Sequence, residues 1–131
     1  MTNSGIFSYI NVIGKAADAS WLRNDIIGGN IANANTPGYK RKDVSFEGEL
    51  QKALMHSGQQ SMGKKVRELD LNSKRLEGKV YTDLERYSYR LDKNNVDIQT
   101  ENVELAANQI KYHGLVTAVN GSFNALKAVI K

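Results

Sequence analysis

Apolar or small residues recur at alternating intervals of four and three in two stretches, one at each end of the chain. In residues 5–33 the repeat positions are Ile6, Ile10, Ile13, Ala17, Ser20, Asn24, Ile27 and Ile31. In residues 95–131 they are Ile98, Asn102, Leu105, Gln109, Tyr112, Val116, Val119, Phe123, Leu126 and Ile130. This spacing is the seam of a coiled coil. The sequence therefore predicts a mainly α fold, with two long terminal helices that pair as an α-helical coiled-coil hairpin.

A polar run with the chain's single proline follows the first helix. Residues 30–40 read Asn-Ile-Ala-Asn-Ala-Asn-Thr-Pro-Gly-Tyr-Lys. Proline pushes the preceding Thr36 out of the α region, and Pro37 and Gly38 suit the centre of a type II turn. Asn33 and Asn35 can cap the helix end or adopt left-handed geometry. The run predicts a helix stop followed by a sharp turn.

Residues 34–94 form the predicted middle of one domain that spans residues 1–131. After the turn, Ser45 is the predicted N-cap of a short helix that ends before Gly58. Residues 57–94 lack a clear period, and the strand-like residues 80–84 and 87–91 predict one irregular β-hairpin or a loose loop. Asn94 or Asn95 is the predicted N-cap of the last helix.

The composition leaves little material for a large core. Of 131 residues, 40% are hydrophobic, only three are Phe and one is Trp, and the mean hydropathy is −0.49. Tyr9 and Trp21 widen the apolar stripe of the first helix beyond one seam, which predicts packing on more than one side. We expect folding to be coupled to assembly with partners. The alternative is a helical hairpin that is stable by itself.

The sequence predicts no catalytic, cofactor-binding or metal-binding residues, and hence no enzyme. Cysteine is absent, which excludes disulfides and thiolate chemistry. His56 and His113 lack helical partners at metal-ligand spacing. We also expect no cleaved signal peptide and no membrane-spanning segment, because the chain has neither a signal-like start nor an apolar run of about 20 residues.

One alternative function stays open at this point, that of a small basic nucleic-acid-binding protein. The formal net charge is +4, and Tyr81, Tyr87 and Tyr89 alternate with Arg86 and Arg90, so that stacking and charge could hold a single strand. Acidic residues interrupt this stretch, and no RNA-binding motif is present. We therefore favour the reading in which the charged stretch is a solvated face.

The run at residues 30–40, together with a heptad helix at the other end of the chain, resembles the signature of the flagellar rod and hook protein family. The chain is most similar to the short proximal-rod members, which lack large inserted domains. Residues 39–47 and 91–98 resemble those members as well. The family often carries glycine where Lys93 stands here. The resemblance covers residues 1–50 and 88–131.

The resemblance implies a structural subunit of the basal-body rod that packs its terminal helices into the wall of a tube. Its implied partners are copies of itself, other rod proteins and the proteins of the MS-ring and export-gate junction. Export by the flagellar type III apparatus, without signal cleavage, would place it in the periplasmic rod. Nucleic acid, a membrane span and cofactors are not implied.

Two sets of residues are predicted to carry this function. We expect the turn to direct residues 46–54 towards a neighbouring subunit. The predicted signature turn comprises Asn30, Asn33, Asn35, Thr36, Pro37, Gly38 and Tyr39. The predicted assembly interface comprises Ile6, Ile10, Ile13, Ile27, Ile31, Leu105, Tyr112, Val116, Val119, Phe123, Leu126 and Ile130.

Overall fold

Helices at both ends of the chain enclose a short middle of two helices and two strands. The computed structural model describes residues 3–56, 60–71, 76–84 and 91–130. The helices are α1 (Asn3–Ala32), α2 (Glu47–His56), α3 (Met62–Leu71) and α4 (Ile98–Val129). The strands are β1 (Lys42–Ser45) and β2 (Lys79–Thr82). The prediction of a mainly α fold with two long terminal helices is confirmed.

The terminal helices α1 and α4 run antiparallel and form the most extensive contact between elements. Near the end of α1, Asn30 Nδ2 donates to Glu101 Oε2 at the start of α4, over 3.0 Å. Further along, Asn108 Nδ2 donates to the backbone oxygen of Ser20 over 2.7 Å. The N-terminus of α1 and the C-terminus of α4 therefore lie at the same end of the hairpin, which we call the free end.

The seam of α4 differs from the predicted one at two positions near its N-terminus. Glu101 and Asn108, one heptad apart, are buried against α1, whereas the predicted Asn102 and Gln109 are exposed. Polar side chains occupy the seam where α1 offers them hydrogen-bond partners. Further seam positions are partly buried at their predicted places, namely Leu105, Tyr112, Val116, Val119 and Leu126.

The middle segment differs from the prediction in its pairing and in its helices. β2 pairs antiparallel with β1, with Asp43 opposite Tyr81 and Val44 opposite Val80. This pairing with β1 was not predicted. The predicted hairpin or loop of residues 80–84 with 87–91 falls largely on residues 85–90, which lie outside the described residues. Helix α3 was not predicted. Among the side chains of α3 that the structure describes, Val66 and Leu69 are the buried ones, and two positions are too few to reveal a period.

The core is small and forms where α1 meets the middle segment. Its buried members are Ala19, Phe46 and Leu76, with Val12, Ala16 and Leu50 packed against them. Phe46 is therefore used within its own chain, so the expectation that residues 46–54 reach a neighbouring subunit was wrong for Phe46. Helix α1 also contacts α3 and β1, so at least three other elements pack against it.

Gly78 permits the close approach of the residues before β2 to α1. A Cβ atom at this position would lie 2.9 Å from Val44 Cγ1 and 3.2 Å from Ala19 Cβ. Contacts this short are repulsive, so a larger residue would push β2 away from α1.

The starts of α2 and α4 differ from the predictions by one to three residues. Ser45 belongs to β1, and the backbone oxygen of Phe46 accepts the first hydrogen bond of α2, from Leu50 N over 2.9 Å. Asp97, rather than Asn94 or Asn95, is the N-cap of α4, and its side chain accepts from Gln99 N over 3.0 Å. A negative charge at the N-terminus also complements the helix dipole.

Lys93, just before α4, has the left-handed backbone conformation that favours glycine. Its φ is 63°, a value that costs a residue with a Cβ atom about 1–2 kcal/mol. Because its backbone oxygen accepts a hydrogen bond from Lys40 Nζ over 2.6 Å, the conformation is held in place by a contact that glycine would retain.

We expect Lys93→Gly to raise the free energy of unfolding by about 1 kcal/mol, because glycine adopts positive φ without strain. Urea unfolding followed by far-UV circular dichroism measures the change. Lys93→Ala is the matched control, since it removes the same exposed side chain but keeps the Cβ atom. An equal gain in both variants would contradict the conformational explanation.

Candidate functional site

Asn94 fastens the end of α1 to the segment that precedes α4. Its side-chain Nδ2 lies within hydrogen-bond distance of three backbone oxygens, those of Asn33 (2.9 Å), Ala34 (3.0 Å) and Thr36 (2.8 Å). Carbonyl groups at a helix C-terminus have no partner within the helix. A residue 60 positions along the chain therefore satisfies the end of α1, and Asn94 itself is 1% exposed.

Asn30 connects α1 to both β1 and α4. Its Oδ1 accepts from Lys42 N over 3.0 Å, and its Nδ2 donates to Lys42 O over 2.7 Å. The same Nδ2 donates to Glu101, and Tyr39 Oη donates to Asn30 Oδ1 over 3.3 Å. Asn30 is fully buried, so an apolar substitute would leave several buried polar groups without partners.

The turn after α1 has the predicted type II geometry. Tyr39 N donates to Thr36 O over 3.3 Å, and Gly38 has φ of 72° at the third position. Gly38 N then donates to Asp92 O over 2.7 Å, so the turn itself is attached to the segment before α4. Asn33 caps α1, as expected, by donating from Nδ2 to Gly29 O over 2.8 Å.

A cluster of opposite charges lies beside these amide contacts. Arg41 donates from Nε to Glu101 and from Nη2 to Asp43 Oδ2, the latter over 2.9 Å. Arg23 donates to both oxygens of Asp43, over 2.7 and 3.1 Å, and to Glu104 Oε2 over 2.9 Å. Five charged side chains thus join α1, β1 and α4.

The charges of this cluster are mutually stabilised in the folded protein. Burial alone would raise the pKa of Asp43, but hydrogen bonds from Arg23, Val44 N and Arg41 outweigh burial and hold its pKa below the usual value. Burial would likewise lower the pKa of Arg41, and its bonds to Glu101 and Asp43 reverse that direction. The bonds to Asp43 are also the main reason for the raised pKa of Arg23.

We call this set of contacts the clasp. It consists of Asn30, Arg41, Asp43, Asn94 and Glu101, together with the turn between α1 and β1. Its amides and charged groups are used in hydrogen bonds and ion pairs within the chain, so the role of the clasp is structural. Glu101 shows this most clearly, since each of its two oxygens accepts from a different element.

Sequence reasoning identified only part of the clasp. The signature turn was found, and Asn30 and Tyr39 belong to the clasp as well. Arg23, Arg41, Asp43 and Glu101 were missed as a group because they come from three distant parts of the chain. A weak signal existed in the alternation of Arg41 and Asp43, which places opposite charges on one face of a strand.

The predicted assembly residues divide into two groups. Ile10 and Ile27 are buried within the chain, and Ile13, Ile31, Leu105, Tyr112, Val116, Val119 and Leu126 are partly buried. By contrast Ile6, Phe123 and Ile130 are exposed, and all three lie towards the free end of the hairpin. Phe7 was not among the predicted residues and is exposed in the same region.

Within the residues that the structure describes, no helix combines the length and the apolar character that crossing a bilayer requires. Within the same residues, no group of three or more His, Asp or Glu side chains is arranged so as to hold a metal ion.

Comparisons with known proteins give a consistent result. A family model described as "Flagella basal body rod protein" matches residues 10–40. The flagellar basal body rod protein FlgB of Bacillus subtilis (strain 168) is 37% identical over 83% of this chain and 82% of its own length. A protein of the same name from Borreliella burgdorferi is 30% identical over 87% of this chain and 89% of its own length. Another, from Aquifex aeolicus, is 29% identical over 96% of this chain and 95% of its own length.

The first prediction for the clasp concerns Glu101. We expect Glu101→Ala to lower the free energy of unfolding by about 3 kcal/mol, because Arg41 and the buried Asn30 would each lose an acceptor while Arg41 keeps its bond to Asp43. The matched control is Glu104→Ala, which removes a rim carboxylate that pairs with Arg23 and should cost about 1 kcal/mol or less. Chemical denaturation of both variants measures the difference, and equal losses would show that burial of Glu101 is unimportant.

The second prediction concerns pH. Because the pKa of Asp43 is lower in the folded chain than its ordinary value of 3.8, its stabilising effect is complete above about pH 5 and is lost as the pH falls through the folded pKa. We therefore expect the stability difference between the unmodified chain and Asp43→Asn to shrink between pH 5 and 2. Unfolding free energies across this range provide the measurement, with Asp18→Asn at an exposed position as the control. A constant difference for Asp43→Asn would contradict the prediction.

Proposed function

This chain belongs to the FlgB family of flagellar basal body rod proteins, and we propose that it joins its neighbours in the rod through the free end of its helical hairpin. It is a structural subunit of the bacterial flagellar basal body rod. The observation that carries the proposed mode of assembly is the contrast between the two ends of the hairpin. One end is closed by the clasp, whereas the other exposes large apolar side chains.

The apolar side chains near the free end come from both terminal helices. Ile6 and Phe7 of α1 are 43% and 50% exposed, and Phe123 of α4 is 50% exposed. Ile130, just after α4, is 82% exposed. Large exposed apolar side chains that lie towards one end of a chain are typical of a protein interface. Burial of these residues against neighbouring subunits would therefore drive association.

The clasp supports this function by fixing geometry. Because α1, β1 and α4 are tied together at one end, the direction of the hairpin relative to the sheet is set within each subunit. Identical subunits that present the same rigid surface can repeat one contact along a helical assembly. The signature turn then acts inside the subunit, where it shapes the surface that neighbours meet.

We also propose a finer placement, which the resemblance and membership of this family support. We place the chain in the proximal part of the rod, in contact with copies of itself, with other rod proteins and with the MS-ring and export-gate junction. Export through the flagellar type III apparatus, without removal of a signal, would deliver it to the periplasmic rod. The alternative of a nucleic-acid-binding protein finds no support in the comparisons.

We expect Phe123→Asp to prevent rod assembly, because a charge would replace an aromatic side chain that neighbours bury. Loss of one buried side chain of this size weakens association by about 1.5–3 kcal/mol, or more than tenfold. Basal bodies isolated from cells that carry only the variant chain provide the measurement, with circular dichroism as a check of helix content.

Val103→Asp is the control for this experiment. Val103 is equally a large exposed apolar residue, at 69%, but it lies two residues from Glu101 at the clasp end of α4, so this variant should assemble normally. Normal basal bodies built from the Phe123→Asp chain would refute assembly through the free end.

A further inference from the structure

One side of α1 carries exposed aromatic and acidic residues. Its exposed positions recur at helical spacing, and Trp21 stands in its middle with 63% of its surface exposed. Asp18 and Asp25, about one turn to either side, are exposed, and within the described part of the chain neither forms an ion pair. We call Asp18, Trp21 and Asp25 the outer face of α1. One ring contact, with Tyr112 at 5.6 Å, orients the indole.

A cleft of about 610 Å³ lies on another side of the same helix, between the sheet and the α1–α4 pair. Arg23, which lines it, is about 200° around the helix from Trp21. Its apolar lining comes from Ala19, Val44 and Phe46. Lys79 and Lys111 line it as well, and both are exposed enough to reach an incoming group. The acidic residues Asp43 and Glu47 also line it, and both are already paired with cations of the same chain. The cleft thus has a mixed lining.

Asn108 gives the cleft an unused hydrogen-bond acceptor. Its Nδ2 donates to Ser20 O over 2.7 Å and to Asn24 Oδ1 over 2.8 Å, and these bonds fix the orientation of the amide. The side chain is 1% exposed, and among the described residues its Oδ1 is the one buried side-chain atom without a partner. An unpaired buried acceptor is unfavourable, so a donor brought by a ligand would be stabilised there.

We propose that the outer face of α1 on one copy of this chain docks into the cleft of a second copy, with Trp21 entering it. The indole ring matches the apolar lining, and its N–H is a donor without acceptor capacity, as the Asn108 oxygen requires. The carboxylates of Asp18 and Asp25 match the charges of the two lysines that line the cleft. Charge complementarity of this kind sets the orientation of the two copies.

The two lysines of the cleft can rearrange for such a partner. Lys79 lies 4.0 Å from Glu49, and Lys111 pairs with Glu47, whose side chain is 75% exposed. Exposed ion pairs contribute little to stability, so their exchange for Asp18 or Asp25 of the partner is nearly neutral in free energy. The buried pairs of Arg23 and Arg41 can stay in place.

This contact has a definite symmetry. The outer face of α1 and the cleft are different surfaces on different sides of one subunit, so the contact is head-to-tail and leaves one of each surface free at the ends of a row. Such contacts produce rings or open helical filaments. The inference rests on the proposed function in that it requires copies of the chain to be neighbours in the assembly.

The experiment uses disulfide formation between copies, since the chain contains no cysteine. Cells carrying the full chain with Asp25→Cys and Lys79→Cys, or with Asp18→Cys and Lys79→Cys, are treated with a mild oxidant, and their basal bodies are isolated. At least one pair should give a ladder of crosslinked chains longer than a dimer. Single-cysteine variants can give dimers at most, and the pair Asp25→Cys with Lys64→Cys, whose second position is on α3, should give no ladder.

A second measurement needs no substitution, because Trp21 is the only tryptophan. In oligomers of the unmodified chain its emission should move to shorter wavelength, and quenching by acrylamide should fall relative to the dilute chain. Normal basal bodies without a ladder, or oligomers with unchanged emission, would overturn the contact while leaving the proposed function intact. Loss of assembly in Phe123→Asp together with a ladder from the cysteine pairs would support both.

Discussion

The buried carboxylate of Glu101 is the group on which the rest of this structure depends. It is fully buried, and a charge in such a place is tolerated only when it is paired and hydrogen-bonded. Arg41 brings the opposite charge from the segment before β1, and Asn30 brings an amide from α1. Since Arg41 also holds Asp43, which binds Arg23, one carboxylate on α4 determines where α1 and β1 must lie.

The signature turn acts together with these contacts to fix the angle between the terminal helices. Pro37 and Gly38 shape a type II turn, but the turn alone would not fix the angle between two long helices. Asn94 supplies that constraint by bonding to the backbone at the end of α1, and Gly38 N bonds to Asp92 O. The turn is therefore one side of a joint between segments about 60 residues apart, and loop closure over that distance is favourable only once several such bonds form together.

Hydrophobic patterning predicted the elements of this fold better than their relative placement. The heptad repeats predicted the ends of both terminal helices to within three residues, and Pro37 with Gly38 predicted the turn, because these signals are local. The polar part of the α4 seam was not predictable, since Glu101 and Asn108 are seam residues only in the presence of Asn30 and Ser20. The pairing of β1 with β2 was equally hidden, because Lys42 and Asp43 give β1 no apolar alternation.

The distribution of polar and apolar groups in this chain is inverted relative to an ordinary small domain. Asn30, Asn94 and Glu101 are almost fully buried, whereas Ile110 and Ile130 are 75% and 82% exposed. Buried polar groups add little net stability but select one arrangement, because every other register leaves them unpaired. Burial of the exposed apolar groups in contacts between subunits would make association favourable. A subunit whose own shape is set by polar contacts can leave much of its apolar surface to its neighbours, and this division of roles is what a self-assembling rod requires.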